Sequence, residues 1–160
     1  MRLYRLLLRC YPASFRHEYG EEMVRLFAER RRAASPGERA ALWLGPEEHL
    51  LLAPPAEAKA LETQLDAALQ GLAHSLVDVS QRQVALAVSG PRARDLLGSG
   101  CPLDLDAEQF PVNACARTLY AKAEVVLWRR GAEEYHLEVA RSFADYVLEW
   151  MRAVNRSDYP

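Results

Sequence analysis

Three cysteines, Cys10, Cys101 and Cys115, are odd in number and contain no close pair. A disulfide framework or a zinc site uses paired spacings, so neither is expected, and reduced thiols in a cytosolic protein are the expected state. The four histidines, His17, His49, His74 and His136, share no ligand spacing such as i, i+4, and no metal is expected on them. Long apolar runs are also missing. The opening MRLYRLLLRC is interrupted by Arg5 and Arg9, which argues against a signal peptide, and no run approaches the roughly 20 residues that span a bilayer. Without secretion, the glycosylation pattern Asn155-Arg156-Ser157 has no consequence. The formal net charge is only −2, so the totals give no reason to expect a nucleic-acid partner. Glycine-rich loops are absent too. Gly98-Ser99-Gly100 comes nearest, but a phosphate loop follows a strand and opens a helix. Here the triplet follows a helical pattern and runs into Pro102, which makes it a cap and a turn.

What is present describes a globular domain. Half of the 160 residues are apolar and 26% are charged, enough for a real core. The charge is unevenly placed. Residues 1–35 hold eight Arg against four Glu, a net of +4, which leaves −6 of the overall −2 for the rest. That asymmetry predicts a basic appendage over 1–35, an α+β domain over 36–154 and a tail over 155–160.

Within 1–34 the spacing predicts a helical hairpin. Leu3, Leu6, Leu7 and Cys10 share one helical face, Pro12 ends it, and Ser14 caps a second helix carrying Phe15, Tyr19, Met23, Leu26 and Phe27. Arg30, Arg31 and Arg32 close that helix, where positive charge suits the dipole. A solvated basic face is the plain reading, with a membrane-surface or partner-docking pair as the other.

Beyond Ser35-Pro36-Gly37 the pattern predicts a hairpin (Ala40 to Leu44 and His49 to Leu52) and a helix over Glu57 to Gln70. The apolar face of that helix is Leu61, Leu65, Ala68, Leu69 and Leu72. The stretch Ser75 to Leu105 organises the rest. It reads as a strand (Leu76 to Val79), a strand apolar on both faces and therefore central (Val84 to Val88), and a Gly90-Pro91 corner. A short helix with Gly98 as a left-handed cap then follows. After a polar connection (Asp104 to Asn113) come one or two strands in 116–129, an alternating strand (Tyr135 to Val139) and a final helix capped by Ser142. Phe143, Val147, Trp150, Met151 and Val154 line one side of that helix. Mixed order with hairpins indicates α+β with a largely antiparallel sheet and flanking helices.

No catalytic group stands out. Asp78 lies at a strand end near Arg82, where a hydrogen bond to the following turn is the plain reading. Arg92 and Arg94 begin a helix, where a solvated face or a salt link to Asp95 or another subunit outweighs anion binding. Trp43, Trp128 and Trp150, with Tyr135, Phe143 and Tyr146, fall in apolar-periodic elements. Most are expected in the core, and the rest are interface candidates. The interface set is Arg92, Arg94, Trp128, Tyr135 and Tyr146, with no catalytic, cofactor or metal residue.

Two resemblances add to this. LYRLLLRCYPASFRHEYGEEM, through Tyr11, Pro12, Phe15, Arg16, Tyr19, Gly20, Glu22 and Met23, resembles the cytosolic prefix of some bacterial transporter permease subunits. From Ala41 onward, four segments resemble the gamma subunit of bacterial heterotetrameric sarcosine oxidase. These are WLGPEEHLLLAPP, LVDVSQRQVALAVSGPRARDLLGSGCPLDLD, FPVNACARTLYAKAEVVLW and VARSFADYVLEWM. His49 departs from the aromatic common in that family, and the family's strand-and-helix unit upstream of Trp43 is replaced by the basic hairpin. The resemblance implies a fold like the folate-binding aminomethyltransferases, with an edge exposed if a strand is lost. It further implies a non-catalytic cytoplasmic subunit packing on a large alpha subunit. The enzyme would demethylate sarcosine to glycine with hydrogen peroxide and pass a one-carbon unit to tetrahydrofolate. This chain would bind no cofactor, the flavins, NAD, folate and zinc belonging to alpha, beta and delta partners. The alternatives are a free-standing folate-binding, one-carbon-transfer module and an adaptor docking a membrane or transporter through the hairpin.

Overall fold

Strands form where a neighbour's backbone can take their hydrogen bonds, and among the described residues two four-stranded sheets result. The structure is a computed structural model. It describes the backbone of residues 4–11 and 157, and residues 39–45 and 47–156 in full. The chain divides into two compact units, Met1–Ser80 and Gln81–Pro160.

The first unit holds β1 (Tyr4–Tyr11), β2 (Ala40–Gly45), β3 (Glu48–Ala53), α1 (Ala58–Ala68) and β4 (Ala73–Asp78). The sheet order is β2-β3-β1-β4, antiparallel throughout. Residues 4–11 are therefore a strand, which corrects the helix expected there. Leucine serves either structure, and the decision is tertiary. β1 lies between β3 (Leu7 opposite Leu50) and β4 (Leu7 opposite Val77), so its backbone groups are satisfied on both sides. Far from exposing a sheet edge, the N-terminal segment fills the interior of the sheet. The second helix of the expected hairpin, residues 14–34, lies outside the described residues.

The β2–β3 hairpin and α1 form where the pattern places them. A 3₁₀ turn at Pro55–Glu57 leads into α1, whose Leu61 and Leu65, with Leu69 just beyond, pack against Leu51 and Ala53 of β3. Ala68, expected on that face, is exposed. Gly71 follows at φ +84°, a conformation that glycine adopts without a Cβ clash.

The second unit holds β5 (Gln83–Ser89), α2 (Ala93–Gly98), β6 (Cys115–Tyr120), β7 (Ala123–Gly131), β8 (Glu134–Ala140) and α3 (Ala144–Ser157). Its sheet runs β5-β8-β7-β6, again antiparallel. β5 is at the edge among the described residues, not in the centre. Its apolar residues suited a central place, but Ala87 and Ser89 are exposed and Val84 and Leu86 only half-buried. The strands covered on both faces are β7 and β8. Their core side carries Val125, Leu127, Tyr135, Leu137 and Val139, closed by Leu97 of α2 and by Val147 and Met151 of α3. The Ser75–Leu105 stretch is thus split between the units, β4 in one sheet and β5 in the other.

Two end signals also differ. Gly98 is the last residue of α2, with Ser99 as a right-handed cap (φ −64°), and the left-handed glycine is Gly90 at φ +111°. Ser142 falls inside a 3₁₀ turn, Arg141–Phe143, ahead of α3. Gly100 is the glycine fixed by close approach. A Cβ there would lie 3.1 Å from the Ala121 nitrogen and 3.1 Å from the fully buried Tyr120 ring. Neither neighbour is free to move aside, so Gly100→Ala should cost about 1–2 kcal/mol in urea unfolding.

Candidate functional site

The residues expected to carry an interface are scattered by the fold. Tyr135 is only 2% exposed and packs beneath Arg129, so it offers no surface and belongs to the core. Arg94 makes the expected ion pair to Asp95 (3.7 Å) and a shorter one, not expected, to Asp106 (2.8 Å). Arg92, half-buried, lines an open cleft of about 270 Å³ with Val88, Gly90, Pro91, Leu96 and Asn155. Arg92 is the one charged side chain among that cleft's lining residues, so the cleft supplies no acid–base pair.

Trp128 is half-buried on β7, with the Arg130 guanidinium 5.3 Å from its ring centroid. Tyr146 is half-buried on α3 beside Trp150, ring centroids 6.5 Å apart. Trp150 is 39% exposed and Phe143 46% exposed, although both were placed on the helix's inner line. Their positions with Tyr146, at i, i+3 and i+7, make an aromatic stripe beside the buried Val147–Met151 line. Trp43 on β2 is exposed as well.

A polar pair that sequence reasoning missed occupies the second face of β8. His136 and Glu138 are two residues apart and so point the same way. The His136 Nε2 and Glu138 Oε1 atoms stand 2.7 Å apart, and Glu138 is 1% exposed. Their cross-strand neighbours are Ala87 and Ala85 on β5 and Trp128 and Val126 on β7. The Trp128 ring meets His136 edge-on at 5.9 Å. Acid–base chemistry needs access to a substrate, and this pair is sealed.

The other titratable groups are structural as well. Asp78 Oδ1 accepts a 2.8 Å bond from the Ser80 amide, the turn contact expected of it. Burial pushes the Tyr120 phenol up, and its hydroxyl donates to the Leu96 carbonyl at 3.0 Å, tying β6 to α2. His74 Nδ1 lies 2.9 Å from the Leu72 carbonyl oxygen. No group of three or more His, Cys, Asp and Glu side chains among the described residues is placed to hold a metal. No helix among them is long and apolar enough to cross a membrane.

His49, on β3, has a buried Nδ1 without a hydrogen bond, and burial holds its pKa below the ordinary 6.5. The unfolded chain therefore takes up the proton first. Stability is complete above about pH 6.5 and falls as pH drops from there toward the folded-state value. Urea unfolding at pH 7.5 and 5.5 should show that loss in the wild type, and a smaller one in His49→Phe.

The profile described as "Sarcosine oxidase, gamma subunit family" matches residues 22–157. Sarcosine oxidase subunits gamma from Corynebacterium sp. (strain P-1) and from Arthrobacter sp. are each 37% identical over 112 residues. The match takes in 70% of this chain and 54% of theirs, so the chain spans about half the length of the curated relatives it matches. Among solved structures, a chain of "Heterotetrameric Sarcosine Oxidase from Corynebacterium sp. U-96 in complex with pyrrole 2-carboxylate" is similar at TM-score 0.73 and 32% identity. The similarity covers 94% of this chain and 77% of that chain.

Proposed function

Because the chain belongs to the sarcosine oxidase gamma subunit family, we propose that it is a non-catalytic structural subunit of a heterotetrameric sarcosine oxidase. The observation that carries this is the backbone similarity, TM-score 0.73, to a chain solved within such a heterotetramer. In this reading the chain packs on a large alpha subunit, with beta and delta completing the assembly, in the cytoplasm. The partners hold the flavins, NAD, folate and zinc. They also perform the reaction, in which sarcosine is demethylated to glycine, oxygen is reduced to hydrogen peroxide and the one-carbon unit goes to tetrahydrofolate. The fold is kin to the folate-binding aminomethyltransferases, with any catalytic role of its own given up.

The surface side of the proposal rests on residues that are costly to leave in water. The aromatic stripe Phe143–Tyr146–Trp150 with Arg92 is the proposed contact set, and Trp128, on the opposite face of the sheet, is a separate candidate, because aromatic and arginine side chains dominate binding hot spots. Arg94, already paired to Asp106, contributes at its rim. Co-expression with alpha, beta and delta subunits, followed by size-exclusion chromatography, tests the assignment. The chain should co-elute with the large subunit, and elution alone as a stable monomer would overturn it. Trp150→Ala should weaken assembly at least tenfold, as expected of a hot spot. Its own unfolding free energy should stay within about 0.5 kcal/mol of wild type, as for most surface substitutions.

A further inference from the structure

We propose that residues 102–114 form a strap that opens and closes as a unit of its own, and that Arg129 is the latch holding it shut. This goes beyond the assembly reading and does not depend on it. The strap contains no helix or strand and joins α2 to β6. Only Leu105 and Phe110 of its side chains are buried, while Asp104, Asp106, Glu108 and Val112 are exposed. Leu103 and Ala114 pack against the core only half-buried, so a segment with two fully buried apolar anchors has limited burial of its own to keep it closed.

What closes it is concentrated in one residue. Arg129 sits on β7 with 7% exposure, and both its backbone and its guanidinium reach the strap. Its amide donates to the Ala114 carbonyl at 2.9 Å, and its carbonyl accepts from the Asn113 amide at 2.7 Å. Nη1 donates to the Phe110 carbonyl at 2.8 Å and to the Leu105 carbonyl at 3.4 Å. The other side of the fork holds the β7–β8 turn, with Nη2 donating to Ala132 at 2.7 Å and Nε to Gly131 at 3.3 Å. The ring of Tyr135 supports the guanidinium from 5.5 Å. Only a planar fork with several donors can serve both segments at once, and a lysine ammonium cannot. The outer tie, Arg94 to Asp106, is an exposed ion pair and adds little.

Native-state hydrogen exchange on the full chain, followed against denaturant, tests this. The Phe110, Asn113 and Ala114 amides are all hydrogen-bonded: Asn113 bonds across to the Arg129 carbonyl and reports closure directly, while Phe110 and Ala114, bonded to Asp106 and Pro111 inside the strap, report whether its own turns loosen with it. They should exchange at least tenfold faster than the Leu127 and Leu137 amides, with a shallower denaturant dependence. Arg129→Lys should speed the three strap amides by at least another tenfold. A single rate and slope shared by strap, β7 and β8 in the wild type would overturn the proposal. So would strap rates unchanged in Arg129→Lys. A chain that does not fold with lysine there would also overturn it, since the residue would then hold the whole unit.

Discussion

Replacing Arg129 with alanine should lower the unfolding free energy of the second unit by about 3–4 kcal/mol, read from the urea midpoint together with a somewhat smaller slope, since a loosened strap adds less surface to the unfolding step. The cost is mainly in what stays behind. The carbonyls of Phe110 and Ala132, which face the guanidinium at 2.8 and 2.7 Å, would lose their donor in a place water reaches poorly. An unsatisfied buried polar group costs about 1–3 kcal/mol, and bonds to a charged donor stand at the upper end. Arg129→Met, close in length but without donors, should do nearly as badly, which separates lost hydrogen bonds from lost volume. A cost below about 1 kcal/mol for either variant would mean that the carbonyls find other partners.

His136→Ala should cost about 3 kcal/mol, the low end of what removing one member of a buried pair does. The Glu138 side chain is wholly buried, keeps its other contacts and loses its 2.7 Å partner. The informative comparison is a double-mutant cycle with His136→Leu and Glu138→Leu. With both polar groups gone, the 2.7 Å contact between them no longer has one member left without the other. The double variant should therefore be more stable than the sum of the two singles predicts, by about 1–3 kcal/mol. Simple additivity would show that the two side chains are held independently.

Both residues were legible only in part, and the reason is parity. Along β7, Ala123, Val125, Leu127 and Arg129 alternate on the core side, so the strand period alone puts an arginine inside. That signal was available, but no reading of the strand's apolar pattern alone asks for an arginine as its partner to a loop. Along β8, the alternation of apolar with His136 and Glu138 suggested one wet face. Two polar groups that satisfy each other remove the need for water, and β8 is buried on both sides. β5 shows the converse, since an apolar strand can still stand at an edge when its alanines serve as neighbours to a polar pair. β1 was hidden for a different reason. Its leucines suit a helix as well as a strand, and the deciding contacts come from β3 and β4, about forty residues or more away in sequence. Elements whose ends are marked locally, the β2–β3 hairpin, α1 and α3, fall close to where their patterns place them. For the same reason Arg94 was readable as an ion-pair residue from Asp95 alone, whereas Tyr135 looked free until the cover of Arg129 was seen.

The central claim is that this chain lends shape and contact surface to an enzyme whose chemistry sits elsewhere. The most direct test supplies sarcosine and oxygen to the purified chain alone while recording flavin absorbance and hydrogen peroxide. The account predicts a colourless protein and no peroxide above background, with both signals present once the partner subunits are co-purified. A bound flavin, or peroxide formed at a rate proportional to the amount of this chain alone, would contradict it.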